Sequence, residues 1–178
     1  MDTIRVLDKS FREFIGRDEI ARRVKDMGEK ISTELEGKEL LFIGVLNGSF
    51  MFAADLYRKI ELPSQISFLK LSSYDGMEST GNVRRLIGLN EDLRGKTVVV
   101  IEDIIDSGRT LQGIISDLNE RGADNIKVAT LLFKPDAYKG TYDIDYIGFE
   151  IPNDFVVGYG LDYDGFGRNL PSIYTLDI

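Results

Sequence analysis

Apolar residues recur along the chain in blocks with two different spacings. From Ile20 to Leu35 they return every three or four positions, which predicts an amphipathic helix that ends near Gly37. Residues 40–46 form an unbroken apolar run, which is typical of a strand buried on both faces of a parallel sheet. The two patterns then alternate. They predict further helices over residues 48–60 and 110–119, and further strands over residues 65–71, 84–89, 96–101, 126–133, 146–149 and 155–159.

Alternating strands and helices favour an α/β fold with a mostly parallel sheet flanked by helices. A length of 178 residues suits a single domain with one sizeable core. No internal repeat is present, and no linker is long enough to divide the chain. The polar, glycine-containing stretch over residues 72–83 is expected to be a loop.

Composition narrows the chemistry that the protein can perform. The chain has neither cysteine nor histidine, so disulfides, thiolate catalysis and a histidine base are excluded. With 22 basic and 30 acidic residues, its net charge of −8 argues against a general nucleic-acid or membrane-surface binder. The N-terminus lacks a signal-peptide pattern and no apolar run approaches membrane-spanning length, so a cytoplasmic location is expected.

Residues 98–110 carry the most informative side chains. Four apolar residues predict a buried strand, and Glu102 and Asp103 stand at its carboxyl end. Asp106 follows, and the small residues of 107–110 lead into a helix. Ligands of open α/β sheets bind beyond the carboxyl ends of strands, and backbone N–H groups at a helix start bind phosphate. The segment therefore offers acids for hydroxyls or a metal ion beside a phosphate site, as a sugar phosphate requires.

This segment resembles the 5-phosphoribosyl-1-pyrophosphate (PRPP) signature of type I phosphoribosyltransferases. Its Glu-Asp-Ile-Ile-Asp form is similar to the hypoxanthine-guanine branch, and the similarity extends from about Leu40 to Arg168. The resemblance implies a type I phosphoribosyltransferase fold, with a core over about residues 37–150 and a small hood from residues 1–16 and 151–178. It also implies purine salvage, in which PRPP and hypoxanthine or guanine give IMP or GMP and pyrophosphate.

The same resemblance implies partners and a cofactor. The partners are PRPP and a 6-oxopurine base, and the protein is expected to form a homo-oligomer, either a dimer or a tetramer. An acidic protein that binds a pyrophosphate ester needs local cations, so Mg²⁺ is expected together with a few lysine and arginine side chains.

The segment that resembles the PRPP signature is expected to hold the ribose phosphate. Glu102 and Asp103 would take the ribose hydroxyls, directly or through Mg²⁺. In the resembling family, the residue that matches Asp106 lies near N7 of the purine as a general base or hydrogen-bond acceptor. On the sequence alone, Asp106 could equally only cap the following helix. The 5′-phosphate is expected on Ser107, Gly108, Arg109 and Thr110, although Arg109 could equally be an ordinary solvated charge.

A second strand-to-helix turn contains Leu46, Asn47 and Gly48. In the family this turn binds pyrophosphate, and its first peptide bond is often cis. Many relatives carry Lys or Arg where this chain has Asn47, so a side-chain cation is missing here, although the backbone N–H groups can still bind pyrophosphate. Without the resemblance, the same residues would predict an ordinary turn.

The purine site of the family is matched by Lys134, directly after the predicted strand 126–133, and by Phe155 and Val156 in the predicted strand 155–159. Lys134 would donate a hydrogen bond to the 6-oxo group and so reject adenine, which presents a donor there. Phe155 would stack on the base, and the backbone of Val156 would bind the ring edge. Without the resemblance, Lys134 would be an ordinary surface lysine and Phe155 a core residue.

The tail and the polar loop complete the set that the resemblance implies. Asp162 matches a carboxylate near Mg²⁺ and the base, so Glu102, Asp103 and Asp162 are the metal candidates. Arg168 matches an arginine that contacts pyrophosphate. Ser73 and Tyr74 resemble a pair in a mobile loop that meets pyrophosphate when the loop closes over the site and excludes water.

Two alternatives remain open at this point. One is a phosphoribosyltransferase that prefers xanthine, because the sequence does not rank hypoxanthine, guanine and xanthine. The other is a PRPP-sensing regulator that binds RNA or DNA, against which the complete carboxylate set and the acidic charge both weigh.

Overall fold

The computed structural model describes residues 3–72 and 84–177. Their helices are α1 (Arg17–Glu34), α2 (Phe50–Tyr57) and α3 (Arg109–Glu120). Their strands are β1 (Thr3–Val6), β2 (Lys9–Ile15), β3 (Leu40–Leu46), β4 (Ser64–Ser72), β5 (Arg84–Ile87), β6 (Thr97–Ile105), β7 (Asn125–Phe133), β8 (Tyr146–Glu150), β9 (Val156–Val157) and β10 (Ile173–Leu176).

A six-stranded sheet forms the centre, in the order β5-β4-β3-β6-β7-β8. All its neighbouring strands pair in parallel except β4 and β5, which pair in antiparallel fashion at one edge. β3 and β6 lie in the middle, and their side chains are buried along almost their whole length. The expected α/β class with a mostly parallel sheet is therefore confirmed.

Helices cover both faces of this sheet. Along β6, Val99 packs with α1 and α2, whereas Val98 and Val100 pack with α3. Successive strand residues point to opposite faces, so an unbroken run of apolar residues supplies both cores. In the described residues, no helix is long and apolar enough to cross a membrane.

Both ends of the chain join in a second, four-stranded sheet in the order β1-β2-β10-β9, with antiparallel pairing. The hydrophobic pattern did not predict β1, β2 or β10. In β2 only Phe11 and Ile15 are buried, and a spacing of four residues does not show the alternation that identifies a strand. The burial of β2 depends on β10, which is far away in the sequence.

Several predicted boundaries were wrong. β6 continues to Ile105 rather than ending at 101, because β7 pairs with it as far as Ile105 and Phe133. The two adjacent acids therefore lie within the strand rather than beyond it. α2 is shorter than the predicted 48–60 helix. β9 contains only Val156 and Val157, which leaves Phe155 just outside it.

Candidate active site

Glu102 and Asp103 lie near the carboxyl end of β6 and, as neighbours in a strand, point to opposite faces of the sheet. Glu102 is only 6% exposed, and burial together with the negative charge of Asp103 raises its pKa well above the usual value. Burial also raises the pKa of Asp103 to about 6, although a backbone hydrogen bond and the positive charge of Arg168 oppose this. Both carboxyl groups would be stabilised in their charged forms by an added cation.

The β6–α3 turn, residues 106–110, directly follows the last residue of β6. Gly108 is the N-cap of α3. Its φ is +81°, and residues with a side chain rarely adopt a positive φ. Its carbonyl accepts the first helical hydrogen bond, from Gln112 (2.9 Å). A cavity of about 40 Å³ lies at this turn, lined by Glu102 and residues 104–111. That volume suits a phosphate group rather than a purine.

Asp106 lies at the start of the same turn and is exposed. Its carboxylate accepts a hydrogen bond from the backbone N–H of Ser107. The helix cap is Gly108, and no side-chain hydrogen bond caps the helix. The alternative that Asp106 only caps α3 is therefore not what the structure shows.

The β3–α2 turn, residues 46–49, lies at the same edge of the sheet. Its first peptide bond, between Leu46 and Asn47, is cis, as the resemblance implied. Gly48 packs directly against the Asp103 carboxylate, which leaves no room for a side chain there. The hydroxyl of Ser49, fully buried at the N-cap of α2, has no hydrogen-bond partner among the described residues. Nothing in the sequence singles out Ser49, because only the folded structure shows its burial.

The C-terminal tail brings Arg168 and Asp162 to this turn. Arg168 forms an ion pair with Asp162 (Nη2 to Oδ1, 2.8 Å) and donates to the carbonyl of Gly160 (Nη1 to O, 2.7 Å). Gly160 in turn packs against the backbone carbonyl of Gly48. Both charged side chains lie close enough to shift the pKa of Asp103. The structure thus groups Asp103, the β3–α2 turn, Asp162 and Arg168.

Lys134 follows β7 directly, and its backbone N–H donates to the carbonyl of Ile105 (2.9 Å). The predicted 6-oxo donor therefore lies beside the start of the β6–α3 turn. Phe155 is 47% exposed and packs against Phe11 and Tyr163 of the terminal region. Val156 is buried and pairs with β10.

The residues fit Mg²⁺ only if the substrate supplies further ligands to the ion. In the described part of the chain, no three acidic side chains are grouped so that they could hold a metal ion. The predicted set of Glu102, Asp103 and Asp162 is not assembled, because Asp162 is engaged by Arg168 and by the backbone N–H of Gly165 (2.7 Å). Mg²⁺ usually binds one or two carboxylates together with substrate phosphates. Glu102 and Asp103, near the carboxyl end of β6, would supply the one or two carboxylates that such a site needs.

The predicted loop residues Ser73 and Tyr74 lie outside the described residues. Two tyrosines that no sequence motif singles out contact the turns. Tyr159 donates from its hydroxyl to Asp55 of α2 (2.6 Å), which ties the tail to the helix after the β3–α2 turn. Tyr138 packs against Gly108 of the other turn. Neither contact leaves a local sequence signal, because each joins segments that are distant in the chain.

The chain is similar to several known proteins. A family model described as "Phosphoribosyl transferase domain" matches residues 16–164. The hypoxanthine-guanine phosphoribosyltransferase of Mycobacterium bovis is 44% identical over 167 residues, which cover 90% of this chain and 83% of the relative. The hypoxanthine phosphoribosyltransferase of Salmonella typhimurium is 42% identical over 158 residues, which cover 87% and 89%.

The chain belongs to the hypoxanthine-guanine phosphoribosyltransferase family. Solved structures agree with this assignment. A hypoxanthine phosphoribosyltransferase from Staphylococcus aureus superimposes with a TM-score of 0.88 at 39% identity, covering 93% of this chain and 91% of that one. One from Trypanosoma cruzi gives a TM-score of 0.87 at 32% identity, covering 98% and 95%. The type I phosphoribosyltransferase fold expected from the sequence is confirmed.

Proposed function

We propose that this protein transfers the 5-phosphoribosyl group of PRPP to hypoxanthine or guanine, giving IMP or GMP and pyrophosphate. A ring nitrogen of the purine forms a bond to the anomeric carbon, and the bond from that carbon to pyrophosphate breaks. The observation that carries the proposal is the grouping of two strand-to-helix turns around one acid pair. One turn suits a phosphate and the other a pyrophosphate, and the acids between them suit the ribose.

The β6–α3 turn would bind the 5′-phosphate through its backbone N–H groups at the start of α3. One of these groups, on Ser107, now donates to Asp106. The carboxylate of Asp106 would move to the purine when phosphate takes that N–H, and would then accept the proton that the purine loses. The hydroxyls of Ser107 and Thr110 and the side chain of Arg109 would complete the phosphate contacts.

The β3–α2 turn would bind pyrophosphate. Asn47 is exposed and carries no charge, so Arg168 would supply the cation on this side of the site. Its guanidinium already lies close enough to Asp103 to lower the pKa of that carboxyl, and it is held by Asp162 and Gly160. A guanidinium held in place binds phosphate oxygens in a fixed geometry and stabilises the leaving group.

The ribose would lie between the turns, with its hydroxyls on Glu102 and Asp103. Negative charge at this point also stabilises the positive charge that develops on the sugar in the transition state. Mg²⁺, held by these carboxylates and by the substrate, would neutralise charge on the pyrophosphate. Binding of the cation would also favour the charged forms of these two acids.

The purine would lie near Lys134, with Phe155 stacked on one face and the backbone of Val156 at the ring edge. Lys134 offers only hydrogen-bond donors, so it matches a 6-oxo group and leaves a 6-amino group unpaired. Half of the Phe155 side chain is accessible, and this accessible surface is available for stacking.

A steady-state assay with PRPP, Mg²⁺ and a panel of purines tests the proposal. Hypoxanthine and guanine should be converted to nucleotides and adenine should not. The variant Asp106→Asn should lower turnover by about a hundredfold or more, because a general base is lost. No turnover by the wild-type protein with any purine would refute the proposal, and an unchanged rate in the variant would remove the role given to Asp106.

Assays on the same purified protein distinguish the proposed function from the two alternatives. A higher kcat/KM for xanthine than for the other purines would identify a xanthine-preferring enzyme. A PRPP-sensing regulator would retain RNA or DNA in a filter-binding assay at low salt, where electrostatic binding is strongest. The family membership favours the salvage enzyme over both.

The proposal extends to assembly and to the ends of the chain. We expect a dimer or tetramer, a state that sedimentation analysis would reveal, and a location in the cytoplasm, which cell fractionation would check. In the Trypanosoma cruzi hypoxanthine phosphoribosyltransferase, the C-terminal region has a role in the oligomeric state and the enzymatic activity of that protein. In this chain, the sheet formed by both ends would act as the hood of a single domain.

A further inference from the structure

The segment from Lys134 to Tyr142, called here the strap, connects the purine side of the site to the β6–α3 turn. It begins at Lys134, whose backbone N–H donates to Ile105 (2.9 Å). It then returns to the turn, where the backbone N–H of Lys139 donates to the carbonyl of Ser107 (3.2 Å). The strap therefore lies directly against the backbone that is proposed to bind the 5′-phosphate.

Tyr138 fills the space between the strap and the turn. A Cβ on Gly108 would lie 2.5 Å from Cε2 of the ring, and a Cβ on Gly140 would lie 2.5 Å from Cζ. The ring is thus enclosed between two glycines, one in the turn and one in the strap. It also packs edge-on against Phe133 at the end of β7, with ring centroids 5.3 Å apart.

The orientation of this ring is fixed at its polar end. The Tyr138 hydroxyl donates to the backbone carbonyl of Tyr142 (2.7 Å). A tyrosine hydroxyl is protonated at neutral pH, and burial raises the pKa of Tyr138 further above its usual value, so the hydroxyl remains a donor. Ring packing and this hydrogen bond together hold the side chain against Gly108.

We infer that Tyr138 is a positioning residue for the reaction, which sets the location of Gly108 and of the N–H groups that take the 5′-phosphate. The inference rests on the proposed function of the β6–α3 turn. Tyr138 would therefore affect the binding of ligands that carry a 5′-phosphate and would leave the binding of the purine unchanged. Lys134 donates its backbone N–H to Ile105 and accepts a backbone hydrogen bond from Tyr138 (3.2 Å), and neither bond uses the tyrosine ring.

The variant Tyr138→Ala tests this inference. It should raise the KM for PRPP roughly tenfold and change the KM for the purine less than about twofold, because misplaced phosphate contacts weaken the binding of one substrate only. In titration calorimetry, GMP should lose most of its affinity advantage over guanosine. A general loss of structure would weaken the binding of guanosine as well. The ratio of the affinities for GMP and guanosine therefore reports the positioning of the phosphate contacts alone.

Two variants keep the test decisive if Tyr138→Ala unfolds. Tyr138→Phe retains the ring and should restore the KM for PRPP to within about threefold of the wild-type value. Gly140→Ala lies outside the turn and places a methyl group against the ring, so it should raise the KM for PRPP in the same selective way. Tyr142→Phe, which leaves the accepting carbonyl in place, is the matched control and should leave every constant unchanged.

The outcomes separate this inference from the proposed function. If the wild-type protein makes nucleotide but Tyr138→Ala or Gly140→Ala binds PRPP as well as the wild type, Tyr138 has no positioning role. If either variant raises the KM values for PRPP and for the purine equally, the inference is also overturned. If the wild-type protein makes no nucleotide from any purine, the proposed function itself has failed.

Discussion

The β6–α3 turn and the β3–α2 turn both join a central strand to a helix at the same edge of the sheet, yet they are built differently. The β6–α3 turn takes its form from adjacent residues, above all Gly108 with its positive φ, and Asp106 bonds to the next residue along. The β3–α2 turn is completed by distant residues, because Asp103 lies against Gly48 and the tail brings Gly160 and Arg168. The backbone conformation of the β6–α3 turn is thus encoded locally, although Tyr138 packs against it from a distant segment, whereas the β3–α2 turn is assembled by the fold.

This difference has a functional consequence. PRPP carries a 5′-phosphate and a pyrophosphate, whereas the product GMP carries only the 5′-phosphate. Changes at the β3–α2 turn should therefore affect PRPP and pyrophosphate but spare GMP. Changes at the β6–α3 turn should affect all ligands that contain the ribose 5-phosphate group. Substitutions in and around each turn test this separation.

Gly48→Ala should have the largest effect. Its methyl group would overlap the Asp103 carboxylate, so the turn or the acid must move. We expect kcat/KM for PRPP to fall by at least about a hundredfold. GMP binding measured by calorimetry should fall less, because GMP would lose only the ribose contact of Asp103 and has no pyrophosphate to misplace. Gly113→Ala is the matched control, because no atom lies within 4 Å of a Cβ there. A Gly48→Ala enzyme with nearly normal activity would contradict the assigned geometry.

Arg168→Ala should come next. It removes the side-chain cation proposed for pyrophosphate and leaves Asp162 without its ion pair. The KM for PRPP should rise roughly thirtyfold, while the affinity for GMP stays within about threefold of the wild-type value. Equal losses for PRPP and GMP would show that Arg168 serves the whole site rather than the pyrophosphate end.

Ser107→Ala should have a smaller effect that is less selective. Loss of one hydroxyl contact to the 5′-phosphate should weaken both PRPP and GMP by up to about tenfold, and should leave guanosine unaffected. Competition binding of the three ligands would measure this pattern. A loss for PRPP alone would place Ser107 at the pyrophosphate and break the comparison between the turns.

Tyr159→Phe should have the smallest effect on catalysis. It removes the hydrogen bond to Asp55 that ties the tail to α2. The free energy of unfolding should fall by about 1 kcal/mol, and the KM for PRPP should rise only slightly because Arg168 keeps its own partners. Urea denaturation would supply the stability value. An unchanged stability would mean that the bond is not needed to hold the tail.

The sequence predicted well those parts of the molecule whose signals are local. The apolar run of β3 was predicted with the bounds that the structure shows, because a strand buried on both faces needs apolar residues throughout. Gly108 and the acids before it were also evident. Three strands of the terminal sheet, β1, β2 and β10, were missed because only Phe11 and Ile15 of β2 are buried, and the partner strand β10 lies far away in the chain.

Within the site, contacts between segments that are distant in the chain could not be predicted from local sequence patterns. Arg168 and Asp162 were assigned from family resemblance, since no local pattern distinguishes them from surface residues. Their ion pair, which makes Asp162 a less suitable metal ligand, appears only in the structure. Tyr138 was overlooked for the same reason, because its contacts with Gly108 arise when β6 and β7 pair side by side.

The central claim is that the acid pair of β6 and the adjoining β6–α3 turn hold one ribose phosphate. A crystal structure of the protein with GMP and Mg²⁺ tests it most directly. The account predicts the 5′-phosphate on the backbone N–H groups of residues 107–110 and the ribose hydroxyls facing Glu102 and Asp103. A nucleotide bound with its phosphate at the β3–α2 turn, or away from both turns, would contradict it.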